Sequence, residues 1–170
     1  QILQEKLDSD NLNKLMSLEN TKMHDFVADA IELTNPDSVF VCTDEQKDLD
    51  YIRQLSVDNC EENSLAMEGH TFHFDGYGAQ ARDKAQTKYL LPEGVSLGES
   101  LNSMDKTEGT EEVRGILKDS MVGKQMLVCF FSLGPTNSDF SISCVQITDS
   151  AYVVHSECML YRPGYEQFKK

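Results

Sequence analysis

MLVCFFSLGPTNSDFSISCVQITDSAYVVHSECMLY, Met126 to Tyr161, is the stretch on which the fold turns. From Gln125 to Leu133 the chain is nearly continuous in apolar residues, too short to span a membrane and closed by a turn. Such a run predicts a strand buried on both faces. Gly134-Pro135-Thr136-Asn137-Ser138 ends it with a permissive glycine, a proline of fixed φ and side chains that bond the local backbone. Ser141 to Thr148 resumes as a second strand, with Ile142, Cys144, Gln146 and Thr148 opposite Ser141, Ser143, Val145 and Ile147. Asp149-Ser150 is suited to cap a helix in which Tyr152, Val153, Met159 and Leu160 share one stripe. Val153-Val154 also fits a strand; the helical reading is preferred. This unit is the expected core.

The 170 residues suffice for one domain with a real core. A formal net charge of −14 argues against nucleic acid or an anionic membrane as the main partner. The acidity is uneven: residues 1–68 carry 16 acids and 5 bases, residues 69–170 carry 13 acids and 10 bases. An anion-binding site is therefore expected in the second part. Cys42, Cys60, Cys129, Cys144 and Cys158 form an odd set without CxxC spacing, three of them inside apolar runs. Buried free thiols in a reducing cytoplasm are the reading that fits. There is no signal peptide and no apolar run of about 18 residues. The first residue is Gln rather than Met, so a piece of a longer chain is expected.

Along the chain, Leu3, Leu7, Leu12, Leu15 and Leu18 recur at helical spacing, with Ser9-Asp10-Asn11 able to cap a second piece. Asn20-Thr21 opens a helix with Met23, Phe26, Val27, Ala30 and Ile31 inward, and Pro36 ends it. Ser38 to Thr43 reads as a buried strand. Thr43-Asp44 then opens a helix with Leu49, Ile52, Leu55 and Ser56 inward. Asp58 to Asn63 is a polar connection, and Leu65 to Asp75 a hairpin around Glu68-Gly69. Regular structure is sparse from Gly76 to Leu101, which marks a functional or disordered segment. Thr110 to Lys118 returns to helix with Val113, Ile116 and Leu117 inward. Alternating strands and helices indicate a mixed α/β domain, α+β in detail, with a loop in its middle.

Within Tyr77 to Lys88, Arg82, Lys84 and Lys88 are opposed only by Asp83, a positive patch in an acidic chain. The guanidinium of Arg82 suits a two-pronged grip on a small carboxylate, and Gly76 and Gly78 would let the loop close. Ordinary surface charge on a solvated loop explains the same residues, and on residue types alone that reading has the advantage. His70 and His73 fall on opposite faces of a strand and so cannot chelate one ion together. Cys158 lies one helical turn from His155, a nucleophile–base spacing, but nothing in the sequence depresses the thiol pKa and Glu157 points elsewhere. A helix with one buried thiol is preferred. The turn at residues 134–138 lacks the Gly-Lys-Ser/Thr ending of a phosphate loop.

The order from Gly123 to Gly164 resembles a segment of the GTP-dependent type of phosphoenolpyruvate carboxykinase. The resemblance rests on Gly123-Lys124-x-Met126 before an apolar strand, then Phe131-Ser132-Leu133-Gly134-Pro135, a Ser-rich strand, and Thr148-Asp149-Ser150-Ala151-Tyr152-Val153-Val154. Ala81-Arg82 and Thr87 are similar to the family's mobile substrate loop, and Asn35-Pro36-Asp37 to an early helix end. What the resemblance implies is the N-terminal, substrate-side domain of that fold, a mixed sheet flanked by helices with a mobile loop around residues 76–88. Residues 1–170 would form this single domain, and a C-terminal nucleotide-binding domain of the same chain would be its partner. The family converts oxaloacetate and GTP to phosphoenolpyruvate, GDP and CO2 in the cytoplasm, a step of gluconeogenesis assisted by Mn2+ or Mg2+. By this likeness Arg82 binds the carboxylate of oxaloacetate or phosphoenolpyruvate. No catalytic, cofactor or metal residue is expected here: GTP and the metal belong to the full-length enzyme, and the fragment alone would be inactive. A different class of reading is a complete, non-catalytic α/β module that binds a small anionic metabolite or a basic protein.

Overall fold

A computed structural model describes residues 1–76 and 87–169. In chain order its elements are α1 (Ile2–Lys6), α2 (Ser9–Met16), α3 (Thr21–Thr34), β1 (Ser38–Val41), α4 (Gln46–Asp58), β2 (Asn63–Ser64) and β3 (Thr71–Phe72). These are followed by β4 (Tyr89–Leu91), β5 (Ser103–Asp105), α5 (Lys106–Leu117), β6 (Gln125–Leu133), β7 (Ile142–Thr148), α6 (Ala151–Leu160), β8 (Arg162–Pro163) and a 3-10 turn at Tyr165–Gln167. The backbone divides into two compact units, residues 1–73 with 119–170, and residues 74–118.

The larger unit is built on β6, and its mixed sheet flanked by helices matches the expectation. β1 runs parallel to its first half, β7 antiparallel along most of its length, and β8 antiparallel to its end at Phe131 and Ser132. Seven consecutive β6 residues, Met126 to Ser132, are buried. Alternation sends Met126, Val128 and Phe130 into one cluster with Leu7 and Leu18, which follow α1 and α2, Leu15 of α2, and Met23, Val27 and Ile31 of α3. Leu127, Cys129 and Phe131 enter a second cluster with Ile52 of α4 and Ala151 and Val154 of α6. A strand with helices on both faces has no side left for polar residues, which is why this run reads as continuous.

The caps explain the helix boundaries. Asp8, rather than Ser9-Asp10-Asn11, caps α2, its carboxylate accepting from Asn11 N at 2.8 Å. Asn20 caps α3 through Met23 N at 3.1 Å, and Asn35 ends that helix in the left-handed region (φ 53°) just before Pro36. Ser150 caps α6, accepting from Val153 N at 3.2 Å. An antiparallel hairpin, β2–β3, forms around Gly69 (φ 76°) as expected, but its first strand is Asn63–Ser64, just before Leu65.

Three inward faces differ from the expectation. Phe26 of α3 is exposed, while Met23, Val27 and Ile31 are buried. On α6 the buried residues are Ala151 and Val154, whereas Met159 and Leu160 stand 69% and 70% exposed. The smaller unit pairs β4 with β5 in parallel and starts α5 at Lys106, four residues before Thr110, with Asp105 as its cap. The buried residue of α5 is Gly109, set against Leu90 and Met104, and Val113, Ile116 and Leu117 are exposed. Helix α4 begins at Gln46, later than the expected Thr43-Asp44, with Glu45 at its boundary and no side-chain cap.

Candidate functional site

After α4 the chain turns at Cys60, whose φ of 59° is left-handed, and doubles back so that Glu61 N and Glu62 N both donate to Ser56 O at 2.9 and 3.0 Å. This reversal points two adjacent carboxylates at two different elements. Glu61 sits on the N-terminus of α6, accepting from Ser150 Oγ, from Ala151 N at 3.2 Å and from Tyr152 N at 3.0 Å. The first turn of a helix leaves such N–H groups without partners and carries partial positive charge, so a carboxylate there is doubly favoured.

Glu62 is buried and accepts from Ser56 Oγ, from Thr71 Oγ1 at 2.7 Å and, at 2.8 Å, meets Nδ1 of His155. One carboxylate thus joins α4, the hairpin and α6. His73, just past the hairpin, adds a second tie: its Nδ1 lies 2.6 Å from Glu61 O, and its ring stacks on Tyr152 with centroids 3.6 Å apart. Burial raises the pKa of both carboxylates, but the hydrogen bonds outweigh it. Those from Ser150 and the Tyr152 backbone hold Glu61 below the usual carboxylate range, and those from Ser56, Thr71 and His155 hold Glu62 there.

The arrangement fixes charge rather than spending it. His155 gains the orienting carboxylate that the sequence reading did not find, in Glu62 and not in Glu157. Cys158, however, is pushed up to about 11 by burial, with Cys42 and Glu157 adding to it, so its thiol is not an activated nucleophile. The five cysteines are free thiols; Cys42 and Cys129 are buried and Cys60 is exposed. His70 Nδ1 lies 3.2 Å from Glu68 O, on its own turn and away from the His73 contacts. Among the described residues, no three His, Cys, Asp or Glu side chains gather in a way that could hold a metal ion. The turn after β6 is tight, with Gly134 at φ 78° and Arg162 Nη1 donating to Gly134 O at 2.8 Å. Arg82 lies outside the described residues, in the segment 77–86.

Glu61 and Glu62 had been read as a polar connection. Ser56, a hydroxyl on the inward stripe of α4, is a weak signal for them, because it also donates to Arg53 O of its own helix at 3.0 Å.

Residues 25–170 match the family model of the phosphoenolpyruvate carboxykinase N-terminal domain. The chain belongs to this family. The chain is 52% identical, over 99% of its length, to a protein of Thermococcus sibiricus named phosphoenolpyruvate carboxykinase (GTP), of which it covers 27%. It is 51% identical over 96% of its length to a Pyrococcus abyssi protein of the same name, covering 26% of it. To that of Saccharolobus solfataricus it is 40% identical over 95%, again covering 26%. The chain therefore spans about a quarter of the length of these relatives. Among its described residues no helix is long and apolar enough to cross a membrane.

Proposed function

We propose that these residues are the N-terminal, substrate-side domain of a cytoplasmic enzyme that converts oxaloacetate and GTP to phosphoenolpyruvate, GDP and CO2. The observation that carries this reading is the 52% identity, across 99% of the chain, to a protein named phosphoenolpyruvate carboxykinase (GTP). In the reaction the bond to the departing carboxylate breaks, CO2 leaves, and its electron pair forms the enolate of pyruvate. The enolate oxygen then takes the γ-phosphoryl group of GTP, and GDP leaves. GTP and a divalent metal, Mn2+ or Mg2+, are held by the C-terminal nucleotide-binding domain of the same chain, and residues 1–170 do not turn over alone.

The role of this domain is binding. Arg82, on the loop around residues 76–88, grips a carboxylate of oxaloacetate or phosphoenolpyruvate with its two parallel N–H donors. A cation at that point orients the substrate and shields the reactive enolate as water is excluded. The loop's positive patch, in a chain of net charge −14, supports this assignment.

Kinetics of the full-length enzyme test it. Arg82→Ala should raise the KM for oxaloacetate about tenfold or more and lower kcat, with the melting temperature unchanged. Arg82→Lys keeps the charge without the fork and should recover part of the loss. Wild-type kinetics in Arg82→Ala would remove the role given to this residue.

A further inference from the structure

The main sheet has two edges, and the fold treats them differently. At β1 the outward N–H of Val41 is taken by Asn11 Oδ1 of α2 at 2.7 Å, and Asn11 is itself buried and anchored to Asp8. One backbone donor of that edge is thus taken by a side chain. At the other edge, β7 pairs with β6 on one side, and among the described residues no strand lies on its other side.

An open strand presents a row of backbone donors and acceptors to any passing chain, and proteins guard such edges with charge, proline, bulges or a cover. β7 has none of the first three. From Phe140 to Thr148 the sequence is FSISCVQIT, without a charged residue or a proline. Its register with β6 is unbroken over seven consecutive pairs, so no bulge twists it away. Phe140 and Ile142, at the same end, are 83% and 61% exposed.

We propose that the outer edge of β7 receives a further strand from the larger part of the enzyme, which lies outside these residues. The domain spans about a quarter of its relatives, so roughly three quarters of such an enzyme is available to supply it. A second copy of this chain is disfavoured as the occupant, because each copy brings a formal charge of −14 to an edge that carries none to offset it. The added strand continues the sheet by main-chain hydrogen bonds and covers Phe140 and Ile142 with apolar side chains. This inference rests on membership of the family and not on the role of Arg82. Loss of that role would appear in the kinetics and leave β7 unchanged.

The test is made on the full-length enzyme. Amide hydrogen exchange should show Ile142 to Thr148 protected to within about tenfold of the β6 amides, outward-facing positions included. A photo-crosslinking benzoylphenylalanine in place of exposed Ser143 should join to a segment of the same chain outside residues 1–170. Exchange of alternate β7 amides at solvent rates, or a crosslink to a second copy or to a site within residues 1–170, would overturn the proposal.

Discussion

Glu62 and His155, 93 residues apart in the chain, meet through Oε2 and Nδ1 at 2.8 Å in a buried position where Ser56 and Thr71 also donate to the same carboxylate. Three elements converge on one charge. Removing that charge leaves the Thr71 hydroxyl and the His155 imidazole without this acceptor, and the buried Ser56 hydroxyl with only Arg53 O, at 3.0 Å. Glu62→Ala should therefore cost about 2–3 kcal/mol of stability, the usual penalty for orphaned buried polar groups. Urea unfolding measures it; a loss under about 0.5 kcal/mol would show that the network relaxes without consequence.

The same network sets a pH dependence. Glu61 and Glu62 are both held below their ordinary values, and so are Asp48 and Asp8, so the folded state binds fewer protons than the unfolded chain near pH 4. Their contribution is complete above the ordinary carboxylate pKa, about 4.3 for Glu. It is lost as pH falls through the lowered folded values. Amide exchange in α6 and the hairpin should stay slow from pH 7 to 5, after correction for intrinsic rates, and accelerate below pH 4. Acceleration between pH 7 and 6 would contradict this assignment.

Cysteine reactivity follows burial. Cys60 is exposed, Cys158 is pushed up to about 11 by burial with Cys42 and Glu157 adding to it, and the Cys129 thiol is raised by its contact with Cys42 and by burial. Limited iodoacetamide at pH 8 should label Cys60 first and Cys129 last, with Cys158 slow, as read by peptide mass spectrometry. Rapid labelling of Cys158 beside His155 would revive the nucleophile–base reading.

Gly164 closes β8 onto β6. Its N–H donates to Phe130 O at 2.9 Å, and a Cβ there would lie 2.5 Å from the carbonyl carbon of Phe131. That neighbour is backbone and cannot turn aside, so Gly164→Ala should cost about 1–3 kcal/mol through displacement of the strand pair. A neutral substitution, by urea unfolding, would mean that β8 is free to move.

Some strands and caps were legible in the sequence, where local chemistry is decisive, whereas the caps Asp8 and Asp105 and the short strands β4, β5 and β8 were not. The β6 run, its turn, Asn20, Pro36 and Ser150 each act within a few residues of themselves. The helix faces were less so. α6, AYVVHSECML, is apolar on nearly every side, so its periodicity has no phase, and Met159 and Leu160 are exposed while Ala151 and Val154 are buried. On α5 the packed residue is Gly109, which a search for large apolar side chains passes over. Glu61 and Glu62 looked like a solvated connection because their partners, Ser150, Thr71 and His155, come from sequence positions that only the fold brings together. Arg82 was singled out by its local positive charge and given a role only by the resemblance, and it lies outside the described residues.

The most direct measurement is turnover by the full-length enzyme. Incubated with oxaloacetate, GTP and Mn2+, it should form phosphoenolpyruvate, GDP and CO2 in equal amounts, with no phosphoenolpyruvate when GTP is withheld. A folded full-length protein that forms no phosphoenolpyruvate under these conditions, or forms it without GTP, would contradict the function proposed for the enzyme to which this domain belongs.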